Sequence, residues 1–244
     1  MSNYLYGIHP VTEAITSGRK IEKVLLKQGF EGPQARALMT LLKEHDIPYS
    51  WVPLQKLSSI AKGAHQGVVA YISEVEYVPF EEMVETALSH KSAPLFVLLD
   101  GVSDVRNLGA IARTAECAGF DGIILPAKGG APLNADAVKT SAGALMRVPV
   151  AKVQNLRIPI FYLLESGFQV VAATEKGADD IYEINLKKPT AIVMGSEGKG
   201  ISPSVLDLCD IQARIPMAGE IGSLNVSVAA AVFMYEALRQ RQGR

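Results

Sequence analysis

The chain has 244 residues, 48% of them hydrophobic and 20% charged, with a formal net charge of -1. This length supplies a core for one large domain or two modest ones, and the composition indicates a soluble globular protein. No apolar run is long enough to span a bilayer and residues 1–10 lack a signal-peptide pattern, so we expect a cytoplasmic protein.

The cysteines indicate neither a metal centre nor a disulfide framework. Cys117 and Cys209 lie in apolar segments and have no Cys or His neighbours at the spacing of metal ligands. We therefore predict two buried, reduced thiols and no bound metal.

Residues 1–73 alternate helical and extended patterns, which predicts a small α/β domain. With eight Lys and Arg against five Asp and Glu, the segment is mildly basic, which permits a nucleic-acid partner without requiring one. His9 and His65 have no identifiable carboxylate partner, so we expect structural roles for both. The predicted elements are helix 10–17, strand 21–26, helix 34–45, strand 49–52, helix 54–61 and strand 67–72.

Residues 74–93 are predicted to be a linker that runs into an amphipathic helix. Residues 74–90 contain Pro79 and five Glu but no Lys or Arg, and apolar residues lie between the acids. A solvated helix face explains these carboxylates better than metal binding, because no further ligand completes a site.

From residue 94 to 244, apolar strands alternate with helices, which predicts a mainly parallel sheet covered on both faces. In such a sheet the ligand site lies beyond the carboxyl ends of the strands. The predicted elements are strand 95–100, a helix from about 107 to 119, strand 122–125, helix 134–145, strand 148–153, helix 160–165, strand 169–173, a strand ending near 195, a short helix, a short strand at 215 and a helix from 226.

The first helix of this second domain carries an unusual arginine. If the helix begins near Asn107, that residue caps it and Arg113 follows almost two turns later. The neighbours of Arg113 in sequence are mostly Ala and Ile, which is not the setting of an ordinary solvated arginine. We therefore expect an anion or a carbonyl group beside its guanidinium.

Residues 195–200, Gly-Ser-Glu-Gly-Lys-Gly, form a glycine-rich loop after a strand. The loop lacks the spacing and the Lys-Ser/Thr ending of a P-loop, and no dinucleotide-binding glycine pattern opens a helix elsewhere. Neither kind of nucleotide site is therefore supported. Taken alone, the loop indicates an exposed turn that carries one carboxylate, Glu197.

Residues 215–235 combine a glycine-containing loop with an apolar helix. Because the helix is apolar all round from Val226 to Met234, we expect it to be buried on every side. Ser223 and Asn225 lie at its start, among backbone N–H groups that lack intrahelical partners. By itself this segment favours a capped core helix.

Three loops thus bring polar residues to one edge of the predicted sheet. Their sequences are Asn-Leu-Gly followed by Arg at 107–113, Met-Gly-Ser-Glu-Gly-Lys-Gly at 194–200, and Ile-Pro-Met through Ser-Leu-Asn-Val-Ser-Val-Ala at 215–229. This set resembles, in order and spacing, the three motifs of the SpoU (TrmH-like) family of RNA 2′-O-methyltransferases, within the SPOUT class.

The N-terminal part shares in the resemblance, which covers nearly the whole chain. Tyr6-Gly-Ile-His-Pro10 and His65-Gln-Gly67 resemble the substrate-binding domain of family members that methylate a guanosine ribose in 23S ribosomal RNA. The likeness to the tRNA guanosine enzymes, which generally lack this domain, is weaker.

The resemblance implies a deep trefoil knot in the C-terminal domain, a homodimer, an RNA substrate, and S-adenosylmethionine bound in loops at the knot. Carried over position by position, the implied cofactor-binding residues are Thr174, Gly195, Ile215, Met217 and Leu224. The implied catalytic residues are Asn107, Arg113, Glu197, Ser223 and Asn225.

In this family, the residue that corresponds to Arg113 is proposed to accept the proton of the ribose hydroxyl. A guanidinium is effectively always protonated and has no acceptor, so we favour a bidentate clamp on the target phosphate. In this interpretation Glu197 pairs with Arg113, while Ser223 and Asn225 position the ribose or the cofactor.

Two alternatives stay open at this point. The same three motifs occur in ribose methyltransferases that act on tRNA or that confer antibiotic resistance through rRNA. The chain could also be a non-catalytic RNA-binding protein, because its N-terminal domain resembles a ribosomal-protein RNA-binding fold. The intact polar residues of the three motifs argue against an inactive protein.

Overall fold

The computed structural model describes residues 4–72 and 75–242. The chain divides into two compact units. One comprises Met1–Glu76 with Pro132–Ala135, and the other comprises Tyr77–Ala131 with Asp136–Arg244.

The first unit is a four-stranded sheet with helices on both faces. Its elements are β1 (Tyr4–Tyr6), α1 (Ile8–Thr16), β2 (Ile21–Lys27), α2 (Pro33–Glu44), β3 (Tyr49–Val52), α3 (Leu54–Ile60) and β4 (Val68–Ile72). Strand β4 pairs antiparallel with β1 and β2, whereas β2 and β3 are parallel. Side chains alternate along β2 and β4, so Val24 and Leu26 face helices α1 and α2 while Leu25 and Val69 face α3.

The second unit contains a seven-stranded sheet. Its strands are β5 (Leu95–Asp100), β6 (Gly122–Pro126), β7 (Val150–Val153), β8 (Gln169–Ala173), β9 (Asp179–Asp180), β10 (Thr190–Gly195) and β11 (Ile211–Arg214). They are arranged in the order β7-β6-β5-β10-β8-β11-β9. All six strand pairings are parallel, which confirms the predicted mainly parallel α/β fold. The central strands are continuous apolar runs because helices cover them on both faces.

Six α-helices and one 3₁₀ helix, Ala144–Met146, accompany this sheet in the described part of the chain. The α-helices are α4 (Phe80–His90), α5 (Val105–Cys117), α6 (Ala135–Thr140), α7 (Arg157–Glu165), α8 (Pro203–Leu206) and α9 (Val226–Arg241). The single helix predicted for 134–145 is wrong, because the backbone turns away from the helical path after α6, where Ala142 and Gly143 have φ values of 51° and 85°.

Three further sequence expectations need correction. The last strand, β11, ends at Arg214, so residue 215 begins a loop instead of a strand. The predicted reduced thiols are confirmed as free, but neither is fully buried: Cys117 is exposed and Cys209 is partly buried. The sequence reasoning also missed the short strands β1 and β9.

Two further properties concern membranes and metals. Within residues 4–72 and 75–242, no helix is both long and apolar enough to cross a bilayer. The same residues contain no group of three or more His, Cys, Asp or Glu side chains that could hold a metal ion. The trefoil knot implied by the family resemblance stays a prediction.

Candidate active site

The carboxyl ends of four neighbouring strands define the candidate site. Strands β5, β10, β8 and β11 are adjacent in the sheet, so the loops that follow them meet at one edge. A cavity of about 450 Å³ opens there, between the loops after β8, β10 and β11 and the first turns of α9.

All five residues predicted to bind a cofactor line this cavity. They are Thr174, Gly195, Ile215, Met217 and Leu224. Glu175, Lys176 and Lys199 also line it, although the sequence reasoning did not select them. The sequence signal that could have identified them is their position: Glu175 and Lys176 closely follow a buried strand, and Lys199 lies inside the glycine-rich loop.

A hydrogen-bonded cluster of three side chains lies at the edge of the cavity. The Asn107 amide donates to Oε1 of Glu197. The Asn225 amide donates to Asn107 Oδ1 at 3.2 Å and to Glu197 Oε1 at 3.3 Å. Ser223 lines the same cavity. The structure thus brings together four of the five predicted catalytic residues. Asn107 and Asn225 come from the starts of α5 and α9, and Glu197 and Ser223 come from the loops after β10 and β11.

The caps of α5 and α9 explain why these amides are available. Asn225 caps α9 through Oδ1, which accepts from Ser227 N at 2.9 Å, so its Nδ2 group is left to donate elsewhere. The expectation that Asn107 caps α5 is wrong. Asp104 is the cap, and Asn107 lies within the first turn with its side chain free to join the cluster.

The Asp104 cap is strengthened by an ion pair. Its carboxylate accepts from the backbone N–H of Arg106 at 2.7 Å and pairs with the Arg106 guanidinium at 2.7 Å. Hydrogen bonds from the Arg106 side chain and backbone lower the pKa of Asp104 to about 2. The start of α5 is therefore fixed by a carboxylate that stays ionised at neutral pH.

Glycine is required where the 195–200 loop leaves β10. A Cβ on Gly195 would lie 2.2 Å from the carbonyl carbon of Gly200, because Ser196 and Gly200 exchange backbone hydrogen bonds of 3.0 and 2.9 Å. Asp100, at the end of β5, accepts from Ser202 N at 2.7 Å and fixes the far side of the loop. These contacts hold Glu197 where the two amides can reach it.

Arg113 lies apart from this cluster. Its side chain is exposed, does not line the cavity, and makes no hydrogen bond or ion pair within the described ranges. No carboxylate or carbonyl of the described residues pairs with its guanidinium, so the expected pairing with Glu197 is wrong for this chain. The expectation of an anion beside Arg113 stays a prediction. The Ala and Ile neighbours face the core at positions 111, 112 and 115, whereas Arg106 and Arg113, seven residues apart, share the outer face of α5.

The prediction that α9 is buried on every side is also wrong for this chain. Val228 is 49% exposed and Tyr235 is 51% exposed, although Ala230, Phe233 and Met234 are buried. Because positions 228 and 235 are two turns apart, they form one apolar stripe on the outer face of the helix. The opposite face of α9 lines the cavity with Val226, Ala229 and Phe233.

Comparisons with known proteins indicate the family to which the chain belongs. Residues 94–235 match the model of the SpoU rRNA Methylase family, and residues 4–78 match the model for RNA 2′-O ribose methyltransferase substrate binding. A Staphylococcus haemolyticus protein named as a TrmH family tRNA/rRNA methyltransferase is 40% identical over 237 residues, which cover 97% of this chain and 95% of that protein.

Solved structures that share the fold over almost the whole chain include the following two. The SpoU methyltransferase AviRb from Streptomyces viridochromogenes, in complex with AdoMet, has a TM-score of 0.63 and 25% identity, covering 99% of this chain and 91% of its own. An AdoMet-bound rRNA methyltransferase from Sinorhizobium meliloti has a TM-score of 0.63 and 29% identity, covering 97% and 87% respectively. With the family model matched across most of the second unit, this chain belongs to the SpoU rRNA methylase family.

Proposed function

We propose that this protein transfers a methyl group from S-adenosylmethionine to a ribose 2′-hydroxyl of RNA, and that its target is a guanosine of 23S ribosomal RNA. The observation that carries the proposal is the Asn107–Glu197–Asn225 cluster at the edge of the loop-lined cavity. Membership of the SpoU family supports the reaction, and the match of residues 4–78 to a substrate-binding model supports RNA as the substrate.

The cavity fits the proposed cofactor in its chemistry. Ile215, Leu224 and Phe233 provide apolar surface for an adenine ring, while the loop backbones and the charged residues beside them suit a ribose and an amino acid. We assign the binding contacts to Thr174, Gly195, Ile215, Met217 and Leu224. When bound, S-adenosylmethionine supplies an electrophilic methyl group.

The protein's own groups would orient the ribose. Asn225 and Asn107 hold Oε1 of Glu197 with amide N–H groups, and Oε2 has no hydrogen bond within the described residues. That free oxygen can accept a hydrogen bond from the 2′-hydroxyl and align it for attack. Ser223, on the loop before α9, adds a hydroxyl to the same cavity.

We assign Arg113 to the target phosphate. Its exposed guanidinium has no partner in the described part of the chain, so it is free to form two parallel hydrogen bonds with an anion. A guanidinium cannot accept the ribose proton at neutral pH, because it has no lone pair available. Its contribution is to fix the position of the nucleotide through the phosphate.

We further propose a homodimer that uses the outer face of α9. Val228 and Tyr235 expose an apolar stripe there, and burying it against a second copy of the chain would be favourable. The proposed domains are the substrate-binding part at 1–73, the linker and helix at 74–93 and the methyltransferase part at 94–244. The compartment that suits an RNA substrate of this kind is the cytoplasm.

Two measurements test the function. Calorimetric titration with S-adenosylmethionine should show binding to the cavity, whereas a non-catalytic RNA-binding protein would show none. Mapping of ribose methylation in cells that lack this protein should show loss at a 23S guanosine. Loss at a tRNA position with rRNA unchanged would instead select a tRNA substrate, which the name of the Staphylococcus haemolyticus relative also covers.

A further inference from the structure

The two N-terminal motifs meet in one place although they are far apart in sequence. The side-chain oxygen of Gln66 accepts a hydrogen bond of 3.1 Å from the backbone N–H of Ile8. A Cβ on Gly63 would lie 2.6 Å from the hydroxyl oxygen of Tyr6, so the Tyr6 ring packs directly on the 63–67 loop. The loop and the start of α1 therefore form a single surface of the first unit.

The 63–67 loop is held in an uncommon backbone conformation. Gln66 has φ of 49°, in the left-handed region that non-glycine residues seldom adopt. His65 fixes it from both ring nitrogens: Nδ1 accepts from Gly67 N at 3.1 Å, and Nε2 shares a 3.2 Å hydrogen bond with Ser58 Oγ. Such conformations persist only where the surroundings require them, and they cluster at ligand-binding sites. The structural role expected for His65 is thus to shape this loop.

A cleft of about 550 Å³ lies between this loop and the segment after β2. Phe30 and Leu54 give it apolar walls, and Lys27, Glu31 and Gln66 give it polar ones. Leu54 is 47% exposed, so its side chain is accessible to a ligand in the cleft. In the ranges 4–72 and 75–242, the Lys27 ammonium, the Glu31 carboxylate and Nε2 of Gln66 make no hydrogen bond or ion pair.

This set of groups matches an unpaired base of RNA. A flat aromatic base stacks on aromatic or apolar side chains, and its free edge is read by hydrogen bonds. Guanine alone among the four bases presents two adjacent N–H donors, N1 and N2, beside an acceptor, O6. A carboxylate such as Glu31 accepts from both donors, while the Lys27 ammonium or the Gln66 amide donates to O6.

We propose that this cleft binds an unpaired guanine of the RNA substrate, with Phe30 as the stacking surface and Glu31 as the residue that selects the base. The inference rests on the proposed function and deepens it, because it names a single-stranded guanine as the feature recognised by the first unit. It concerns a site separate from the nucleotide that receives the methyl group.

The test compares short RNA hairpins that differ only in one base of the loop. Each hairpin has a loop of uridines with a single guanine, inosine or adenine, and its affinity for the full-length protein is measured by fluorescence anisotropy. Inosine lacks only the N2 amino group of guanine. We expect the guanine hairpin to bind about fivefold more tightly than either of the others.

The Glu31→Gln variant tests whether Glu31 causes the preference for guanine. Glutamine replaces one acceptor oxygen by an amino donor that faces the donors of guanine, so the guanine and inosine hairpins should bind with equal, weakened affinity. Glu44→Gln is the matched control: it makes the same charge change at an exposed glutamate of α2 outside the cleft, and should keep the preference.

The outcomes separate this inference from the proposed function. Equal affinities of the wild type for the three hairpins, absence of binding, or a preference that Glu31→Gln retains would each overturn the guanine assignment. Titration of the same preparations with S-adenosylmethionine tests the other unit. A guanine preference without cofactor binding would support guanine binding in the cleft and refute the methyltransferase proposal. Cofactor binding without a guanine preference would support the methyltransferase proposal and refute guanine binding in the cleft.

Discussion

Nδ2 of Asn225 lies 3.2 Å from Oδ1 of Asn107, although 118 positions separate the two residues in the chain. One residue caps α9 and the other lies in the first turn of α5, so the contact joins the starts of two helices. Both amides also bond to Glu197, on the loop after β10. The cluster therefore ties three separate segments of the second unit to one point at the edge of the cavity.

Replacement of Asn225 should separate its two roles. Asn225→Ala removes the cap and the amide donor, so it should lower the free energy of unfolding by about 1 kcal/mol and abolish most methyl transfer. Asn225→Ser restores a capping oxygen without the donor, so it should be nearly as stable as the wild type yet about 100-fold slower. Chemical denaturation and single-turnover methylation of a 23S rRNA transcript measure the two effects. Wild-type rates for Asn225→Ser would mean that the cluster serves only the fold.

Arg113→Lys should keep the positive charge but lose most methyl transfer, about tenfold or more, because an ammonium cannot form the two parallel hydrogen bonds of a guanidinium. Stability should not change, since the side chain is exposed and unpaired in the described structure. Arg147→Lys, at another exposed arginine, is the control. An Arg113→Lys enzyme that works at the wild-type rate would refute the phosphate clamp.

Gly195→Ala should displace the 195–200 loop, since the new Cβ would lie 2.2 Å from the carbonyl carbon of Gly200. We expect a loss of about 1–3 kcal/mol in the free energy of unfolding, together with weakened S-adenosylmethionine binding. Gly219→Ala is the control, because a Cβ there meets nothing within 4 Å. Thermal unfolding and calorimetry would show both effects. If both alanine variants behave alike, the close approach at Gly195 is not needed.

The two cysteines should differ in reactivity. Burial, with smaller effects from Asp210 and Asp100, raises the pKa of Cys209 to about 12, and its thiol donates to Val205 O at 3.3 Å. Iodoacetamide at pH about 8 should therefore modify exposed Cys117 and leave Cys209 unmodified until the protein unfolds. Mass spectrometry of the alkylated peptides gives the result. Equal labelling of both cysteines in the folded protein would contradict it.

The same shift predicts a contribution of Cys209 to the pH dependence of stability in alkaline solution. An unfolded thiol loses its proton near pH 8.5, whereas folded Cys209 keeps its proton up to about pH 12. Between these values the folded state binds more protons, so the free energy of unfolding should fall as pH rises. Cys209→Ala should reduce this decline.

Tyr235→Glu should convert the proposed dimer into monomers, because a charge placed in an apolar interface would have to be desolvated. Tyr182→Glu is the matched control, since that tyrosine is 55% exposed at another place on the second unit. Sedimentation velocity distinguishes the two forms. If the Tyr235→Glu protein is dimeric, the outer face of α9 is not part of the interface. If the wild type is monomeric, the proposal of a dimer is wrong.

Local patterns in the sequence were sufficient to predict most of the helices and strands. Unbroken apolar runs such as 95–100 predict buried parallel strands, and helical periodicity predicts α2 and α4, because burial on one or both faces imposes those patterns. Short elements were missed: β1 and β9 have three and two residues, too few to show a period. The break after α6 depends on a left-handed Ala142, a residue type that gives no signal for that conformation.

By itself, the sequence determined the α/β class, the order of the long elements and the three polar segments from which the candidate site is built, since these depend on local composition and spacing. Only the tertiary structure decided that Asp104 and not Asn107 caps α5, that Arg113 faces outward, and that one side of α9 is exposed. The cap depends on where α5 begins, and the other two features depend on which face of a helix packs against a neighbour. That choice is made by contacts between residues more than a hundred positions apart, such as Asn107 and Asn225, which no local pattern encodes.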